Sequence, residues 1–243
     1  MNKNIGFRVK LDDYIAEKQK ISEFLYLYFS KFDLLEVKVN NNLAKSKNLE
    51  YVLNEFKNKN VSFHLSKDFI NSPTEYDEII LFYIKNDNSF LITHVPEVFN
   101  KKSIELAMKK IMNNMLLFEN PNKFQKKYYI EYLILFYNFL SLFNNCGICL
   151  DLGHLYYNEL INGQKYNLVK LLENVDVEQI REYHVHDFNK SKDHLKIGTG
   201  LLNNVKMNNC MNTNARIILE TNVDRDDLSD GKEQVKKVLT KIL

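Results

Sequence analysis

The chain has 243 residues, of which 45% are hydrophobic and 26% are charged, a composition typical of a globular protein with a large core. Lys and Arg together number 33 and Asp and Glu 31, so the formal net charge is only +2. Proteins that bind nucleic acid or anionic membranes usually carry a marked basic excess. The balance therefore argues against both classes, although it leaves room for a local basic patch.

The first residues and the longest apolar stretch suggest neither export nor a membrane span. The first residues lead directly into a predicted strand, without an apolar signal segment. The longest apolar stretch, 128–143, contains Glu131 and is too short and too polar to span a bilayer. Cys146 and Cys149 form a CxxC pair, and Cys210 stands alone. We expect a cytoplasmic protein in which Cys146 and Cys149 are buried core thiols, because both lie in or beside an apolar strand.

Short apolar runs alternate with helical segments along the whole chain. The eight predicted strands cover 5–9, 34–39, 61–65, 90–95, 115–119, 146–150, 180–187 and 216–221. The predicted helices between and after them cover 16–32, 43–57, 75–85, 104–113, 123–143, 155–175 (one short helix and one longer) and 227–243, with a poorly marked helix in 201–212.

Eight strand–helix units in about 250 residues match the size of a TIM barrel. The main rival is a doubly wound open sheet, which predicts a glycine-rich turn after the first strand. Residues 9–12, Val-Lys-Leu-Asp, form no such turn. We therefore predict an α/β protein with one (β/α)8 TIM-barrel domain over residues 1–243.

Ionisable residues stand at the ends of the predicted strands, where a TIM barrel keeps its active site. They are Glu36, His64, His94, Glu119, Asp151 with His154, His184 with His186 and Asp187, and Glu220. The sixth histidine, His194, lies in the loop after the seventh strand, and no histidine lies in a predicted helix. Imidazole together with carboxylate suits zinc, manganese, iron or cobalt. The pattern therefore predicts divalent-metal binding.

Several assignments of these residues to ions are open. One ion could be held by three carboxylates and one imidazole, namely Glu119, Asp151, His184 and Glu220. A second could be held by His64 and His94 with Glu119 as a bridge, and a third by His154 and His194, which could instead contact substrate.

The remaining residues of the set have less definite roles. His186 faces the same side of its strand as His184 and could be a ligand, a support for one, or a substrate contact. Asp187 belongs to the same group of possible metal-binding or substrate-binding residues. Glu36 is followed by Lys38 and is more often a structural residue, with a place in the site wall as the alternative.

These residues resemble the motifs of the xylose isomerase-like TIM-barrel superfamily, which includes sugar isomerases and epimerases and the endonuclease IV family of abasic-site nucleases. The matching pieces follow the strands in order over about two thirds of the chain, and they are Phe63-His64, His94-Val95-Pro96, Phe118-Glu119-Asn120, Asp151-Leu152-Gly153-His154, His184-Val185-His186-Asp187, the segment 193–200 and Leu219-Glu220-Thr221. The combination is specific to the superfamily and not to one activity within it.

The resemblance implies roles for individual residues. In both branches Glu119, Asp151, His184 and Glu220 bind a metal, and in the epimerase branch Glu119 and Glu220 are also the acid/base pair. In the nuclease branch a second zinc is held by His64 and His94 and a third by His154 and His194. That branch also has an aspartate two residues before His194, where this chain has Lys192, with Asp193 shifted by one, and the departure weakens the case for a third metal.

Two functions are compatible with this set. The first is a divalent-metal-dependent isomerase or epimerase (Mn²⁺, Zn²⁺, Co²⁺ or Mg²⁺) that acts on a small sugar, sugar phosphate or related polyol through a metal-stabilised enediolate. The alternative is endonuclease IV-type, zinc-dependent hydrolysis of abasic DNA. The balanced charge and the short loop 40–42, which has no arginine or aromatic residue to insert into a duplex, favour the small-molecule substrate over nucleic acid. The full histidine set favours the nuclease. The apolar helix at 123–143 is a candidate subunit interface.

Overall fold

A closed barrel of eight parallel strands organises the chain, as seen in a computed structural model that describes residues 5–12, 14–84, 89–111, 114–122, 128–163, 168–202, 212, 214–221 and 233–234. Each strand pairs with its neighbours in chain order, and the first closes on the eighth. The strands are β1 (Ile5–Val9), β2 (Leu34–Lys38), β3 (Asn60–His64), β4 (Phe90–His94), β5 (Met115–Glu119), β6 (Cys146–Asp151), β7 (Ile180–Val185) and β8 (Arg216–Leu219). The predicted (β/α)8 TIM barrel is confirmed.

Helices connect the strands on the outside of the barrel. They are α1 (Lys18–Phe29), α2 (Asn41–Ala44), α3 (Leu49–Glu55), α4 (Glu75–Ile84), α5 (Lys101–Ile111), α6 (Tyr129–Leu140), α7 (Leu152–Asn162) and α8 (Leu168–Asn174), with a 3-10 turn at Val177–Gln179. None of these described helices has both the length and the apolar character needed to cross a bilayer. Cys210, most of the segment 201–212 and all but two residues of the predicted helix 227–243 lie outside the described residues.

Two helical regions differ from their predicted bounds for local reasons. The predicted helix 43–57 is two helices, because Asn40 caps α2 early and the side chain of Asn48 donates to the carbonyls of Ile15 and Ala16 at the break. α7 starts at Leu152 and not at residue 155, since the carboxylate of Asp151 caps it. The prediction that no histidine lies in a helix is therefore wrong for His154, which is in the first turn of α7.

The outward faces of the strands pack against the helices. Phe7 of β1 meets Phe32 with ring centroids 4.9 Å apart, and the hydroxyl of Tyr28 accepts from Phe7 N and donates to the Leu34 carbonyl, each at 2.7 Å. Because side chains alternate along a strand, Phe7 pointing outward sends Arg8 into the barrel. Cys146 and Cys149 are buried free thiols, as predicted.

The inside of the barrel carries both apolar and charged side chains. Ile92, Leu117 and Cys149 form a small apolar cluster of their own. Charged side chains come from β1, β2 and β7, including the fully buried carboxylates of Glu36 and Glu182, and Cys149 lies beside Glu182 and His184. Glu36 and Glu182 stand two and three residues before the ends of their strands, so they form a polar floor under the rim of the barrel.

Candidate functional site

The carboxyl ends of six strands bring the predicted site residues together. The parallel register sets His94 beside Glu119 and Asp151 beside His184. Glu220 follows β8, and its backbone N–H donates to the Val185 carbonyl of β7. The side chains at the strand ends are buried except that of His94, which keeps 23% of its surface exposed, and His194 in the loop after β7 keeps 34%. These two rings mark the solvent side of the site.

Three of the four residues predicted to hold one ion share a ligand cluster with His154. Ligand atoms of Glu119, Asp151, His154 and Glu220 all lie within 4.8 Å of one another. The fourth predicted residue, His184, contacts two of them: its Nδ1 is 3.0 Å from Glu119 Oε1 and 2.6 Å from Glu220 Oε1. The structure thus brings the predicted residues to one place and adds His154.

A second cluster joins His64, His94 and Glu119. The Nε2 atoms of His64 and His94 lie 2.7 and 3.1 Å from Glu119 Oε2. Nδ1 of His64 donates to the Leu65 carbonyl at 3.0 Å, so in the neutral ring Nε2 carries a lone pair. Burial lowers the pKa of His64, which favours that neutral form. The lone pair of His64 Nε2 thus lies 2.7 Å from Glu119 Oε2, and a cation bound by both atoms would account for this approach of two acceptors.

His154 is also prepared as a ligand. Its Nδ1 donates to the Asn120 carbonyl at 3.0 Å, which leaves the lone pair on Nε2. Nε2 is buried and has no hydrogen-bond partner among the described residues. Burial lowers the pKa of His154 to about 4, so the ring is neutral at pH 7. A buried acceptor without a partner fits a bound cation.

A third cluster contains His154, His186, His194 and Glu220. His194 has a left-handed backbone (φ 56°), and its Nε2 lies 2.8 Å from Glu220 Oε2. The backbone N–H of His194 lies 3.0 Å from Nδ1 of His186, and the same Nδ1 lies 3.2 Å from the Asp187 carbonyl. Nε2 of His186 lies 3.3 Å from Asp151 Oδ1, so the ring is placed between the loop that carries His194 and Asp151.

The segment before His194 departs from the pattern that the nuclease branch expects. Lys192 is exposed, and Asp193 Oδ1 lies 3.3 Å from Nδ1 of His194. Asn122 donates to the other oxygen of Asp193 at 2.7 Å. Asp193 therefore contacts the back of the His194 ring, on the nitrogen opposite the one that faces Glu220.

Asp187 holds the loop after β7. Its Oδ1 accepts from the backbone N–H groups of Phe188 and Leu202, and its Oδ2 from those of Gly198 and Gly200, at 2.8–2.9 Å. Four backbone donors occupy both oxygens of this fully buried carboxylate. Asp187 was one of the predicted metal-binding or substrate-binding residues, and the structure uses its carboxylate to shape the loop that carries His194.

Sequence reasoning missed Arg8 of β1. Its Nε pairs with Glu36 Oε1 and its Nη2 with Glu220 Oε1. The same Nη2 lies 3.2 Å from Nδ1 of His184 and 3.8 Å from Glu119 Oε1. The signal was the alternation of β1, in which Arg8 shares a face with Gly6 while the neighbouring positions are apolar.

Glu36 and Glu182 form the floor under His184. Glu36 Oε2 and Glu182 Oε1 lie 2.7 and 3.1 Å from His184 Nε2. The other oxygen of Glu182 accepts from Ser62 Oγ at 3.0 Å. Glu36 therefore lies in the site wall, the alternative that the sequence left open, and Glu182 is an additional site residue.

The two predicted acid/base glutamates are ionised. Burial raises the pKa of Glu119, but His184 beside it holds the pKa well below the usual value. Burial likewise raises the pKa of Glu220, and Arg8 and His184 outweigh it. Both side chains therefore carry the negative charge that a cation ligand or a proton acceptor requires.

A cavity of about 480 Å³ opens beside His94. Its walls come from the loops after β3, β4 and β5, and its polar lining residues include Lys67, Asp68, Asn71, Glu97 and Asn122. The volume is in the range of small-molecule sites.

Comparison with solved structures shows the fold that the motifs predict. A zinc-bound IolI protein matches with a TM-score of 0.64 and 15% identity over 99% of both chains. An L-ribulose 3-epimerase matches with a TM-score of 0.53 and 12% identity, over 93% of this chain and 86% of its own. No family model matches the sequence, and neither does any curated protein. The chain therefore shares the TIM-barrel fold of these two proteins.

Proposed function

We propose that the chain is a divalent-metal-dependent isomerase or epimerase of a small sugar, sugar phosphate or related polyol. One observation carries the proposal: Glu119 of β5 and Glu220 after β8 reach the same point from separate walls of the barrel, within 3.0 and 2.6 Å of His184 Nδ1. Two carboxylates around one point suit a reaction that removes a proton from carbon and returns it. The fold shared with an L-ribulose 3-epimerase supports the same reaction class.

The donor set fits a divalent ion. Glu119, Asp151 and Glu220, with His184 or His154 as the imidazole, would hold it, and carboxylate with imidazole suits Mn²⁺, Zn²⁺ or Co²⁺, with Mg²⁺ as a harder alternative. Such an ion would supply Lewis-acid polarisation of a substrate carbonyl. The partnerless Nε2 of His154 and the lone pair of His64 facing Glu119 support a cation in this part of the barrel.

Side chains of the protein would bind the substrate and transfer the proton. The substrate would enter through the cavity beside His94, where Lys67 and Asn122 offer a cation and an amide to its oxygens. One of Glu119 and Glu220 would take a proton from the substrate carbon and, now protonated, would return that proton to the neighbouring carbon. Inversion at a single carbon would require the opposite glutamate to take up a proton before it donates one. Burial of both carboxylates would keep bulk water away from the transferred proton.

Deuterium exchange tests this proposal. The protein with added Mn²⁺ or Co²⁺ is incubated in D₂O with a panel of ketoses and ketose phosphates, and uptake at the α-carbon is followed by NMR. We expect uptake that is lost in Glu119→Gln and in Glu220→Gln and kept in Glu131→Gln, a matched change of an exposed glutamate on α6. Uptake that survives both site variants would refute the assigned roles.

A second candidate is zinc-dependent phosphodiester hydrolysis. It is favoured by the two further ligand clusters, His64 with His94 and Glu119, and the one containing His186 and His194, since several ions can clamp a phosphate. Incision of an abasic-site duplex, abolished by Glu119→Gln, with two or three zinc ions per chain, would select this candidate. About one ion per chain without incision would select the isomerase.

A further inference from the structure

Arg8 occupies the point on which the predicted metal ligands converge. Its Nη2 contacts Glu220 Oε1 and lies 3.2 Å from His184 Nδ1 and 3.8 Å from Glu119 Oε1. These are three of the four residues predicted to hold one ion. The two carboxylate oxygens are also the atoms that lie nearest to His184 Nδ1.

A guanidinium and a divalent ion cannot share these atoms. Arginine has five N–H donors and no lone pair to offer, so it cannot join the ligand set. Its positive charge would lie within contact distance of the ion and repel it. The side chain is 14% exposed, so the guanidinium is partly desolvated and poorly screened. The guanidinium is not deprotonated in proteins, so its positive charge is permanent.

Arg8 also has a second anchor. Its Nε pairs with Glu36 Oε1. Glu36 is not one of the four predicted ligands, although its carboxylate lies within ligand distance of His184 and Glu220. The end of the guanidinium can therefore leave Glu220 and Glu119 while the side chain remains tied to Glu36. The long arginine side chain on a rigid strand permits such a rotation about its χ angles.

We propose that Arg8 is a tethered cation that competes with the divalent ion for Glu119, Glu220 and His184. Binding of the ion moves Nη2 off Glu220 and Glu119 and leaves the guanidinium beside the ion, held by Glu36. Arg8 thus lowers the metal affinity of the site. This inference rests on the metal site of the proposed function.

Metal affinity in Arg8→Gln tests the competition. Chelator-treated protein is titrated with Mn²⁺ and with Zn²⁺ by isothermal calorimetry, and free Mn²⁺ is followed by electron paramagnetic resonance. We expect Arg8→Gln to bind the ion about tenfold or more tightly than the parent, a coupling in the usual range. An arginine with a merely structural role would give the opposite sign, because loosening the site weakens binding.

Lys38→Gln is the matched control. Lys38 is an exposed cation at the end of β2. Desolvation lowers its pKa and Arg8 lowers it further, so Lys38 senses the charge of Arg8 from a position outside the central ligands. We expect less than about a threefold change in affinity, since charge at longer range is screened. An equal gain in both variants would show a general charge effect and overturn the competition.

A double variant, Arg8→Gln with Glu36→Gln, protects the test against failure to fold, because it removes the carboxylate that Arg8→Gln leaves without its partner. Its affinity should also exceed that of the parent. If the parent binds the ion and neither variant binds it more tightly, the competition is overturned while the metal site stands. If no protein of the series binds an ion, the metal site itself is refuted, and the competition with it.

Discussion

Asp187 and Glu220 are two buried carboxylates that follow the neighbouring strands β7 and β8, and their surroundings are opposite. Asp187 accepts four backbone N–H groups from its own loop. The Glu220 carboxylate pairs, within the described part of the chain, with the ionisable side chains of Arg8, His184 and His194. Backbone donors cannot move without refolding the loop, whereas side-chain cations can exchange with another cation. The hydrogen-bonding partners of a buried carboxylate therefore distinguish one that stabilises the fold from one that is available to a ligand.

The largest effect on stability should come from Asp187→Asn. The amide would turn one acceptor into a donor that faces N–H groups, and the loop would lose its charge-assisted hydrogen bonds, for a loss of about 3 kcal/mol in the free energy of unfolding. Urea unfolding measures it. Asp176→Asn, at the exposed cap of the 3-10 turn, is the control and should change little, because asparagine caps as well as aspartate. Equal losses in the two variants would contradict the assigned role of Asp187.

A smaller loss is expected for Gly153→Ala. A Cβ at Gly153 would lie 2.3–2.5 Å from the ring atoms of His186, so that ring must move and about 2 kcal/mol of overpacking is expected. The matched change at the other end of α7 is Gly163→Ala, where φ is +62° and no atom lies within 4 Å of the new Cβ. It should cost about 1 kcal/mol from backbone strain alone. The NMR signals of the His186 ring should shift only in Gly153→Ala, and a shift in neither would show that the contact is absent.

Glu220→Gln should change stability by about 1 kcal/mol or less. Arg8 keeps its pair with Glu36, His184 its contact with Glu119 and His194 its contact with Asp193, so each cation retains a carboxylate partner. The measurement is thermal unfolding of the parent, Glu220→Gln and Asp187→Asn under the same conditions. A loss for Glu220→Gln as large as that for Asp187→Asn would show that Glu220 also holds the fold.

The smallest change is expected at an exposed carboxylate. Glu78 of α4 pairs with Lys110 of α5 at 3.2 Å, and both side chains are about half exposed. Lys110→Met should alter the free energy of unfolding by less than about 0.5 kcal/mol, because exposed ion pairs contribute little. A larger change in urea unfolding would show that burial does not decide how much a carboxylate contributes to stability.

The sequence was sufficient to predict the barrel and most of the residues at its carboxyl rim. The apolar runs show where each strand ends, and His64, Glu119 and Asp151 stand at those ends. Parallel pairing brings the carboxyl ends of the strands together at one rim. The partners of each group could not be derived in this way. His154 reaches the cluster of Glu119 because α7 starts at Leu152, three residues earlier than predicted. Asp187 holds its loop through backbone N–H groups, which have no sequence signature.

Arg8 shows a second limit. A single arginine within a short strand carries no motif, and its inward direction follows only once Phe7 is known to pack against the helices. Its contact with Glu220 depends on the closing of β1 on β8, a pairing between the two ends of the chain. Long-range closure of this kind is set by the whole barrel and not by local pattern.

Equilibrium dialysis against Mn²⁺ and Zn²⁺, with metal content read by elemental analysis, tests the central claim most directly. Glu119 belongs to two of the ligand clusters, so the parent should retain at least one ion per chain after washing, and Glu119→Gln should lose about a hundredfold or more in affinity while keeping its fold. A parent chain that retains neither ion, or a Glu119→Gln variant that retains as much as the parent, would contradict a metal site built around Glu119.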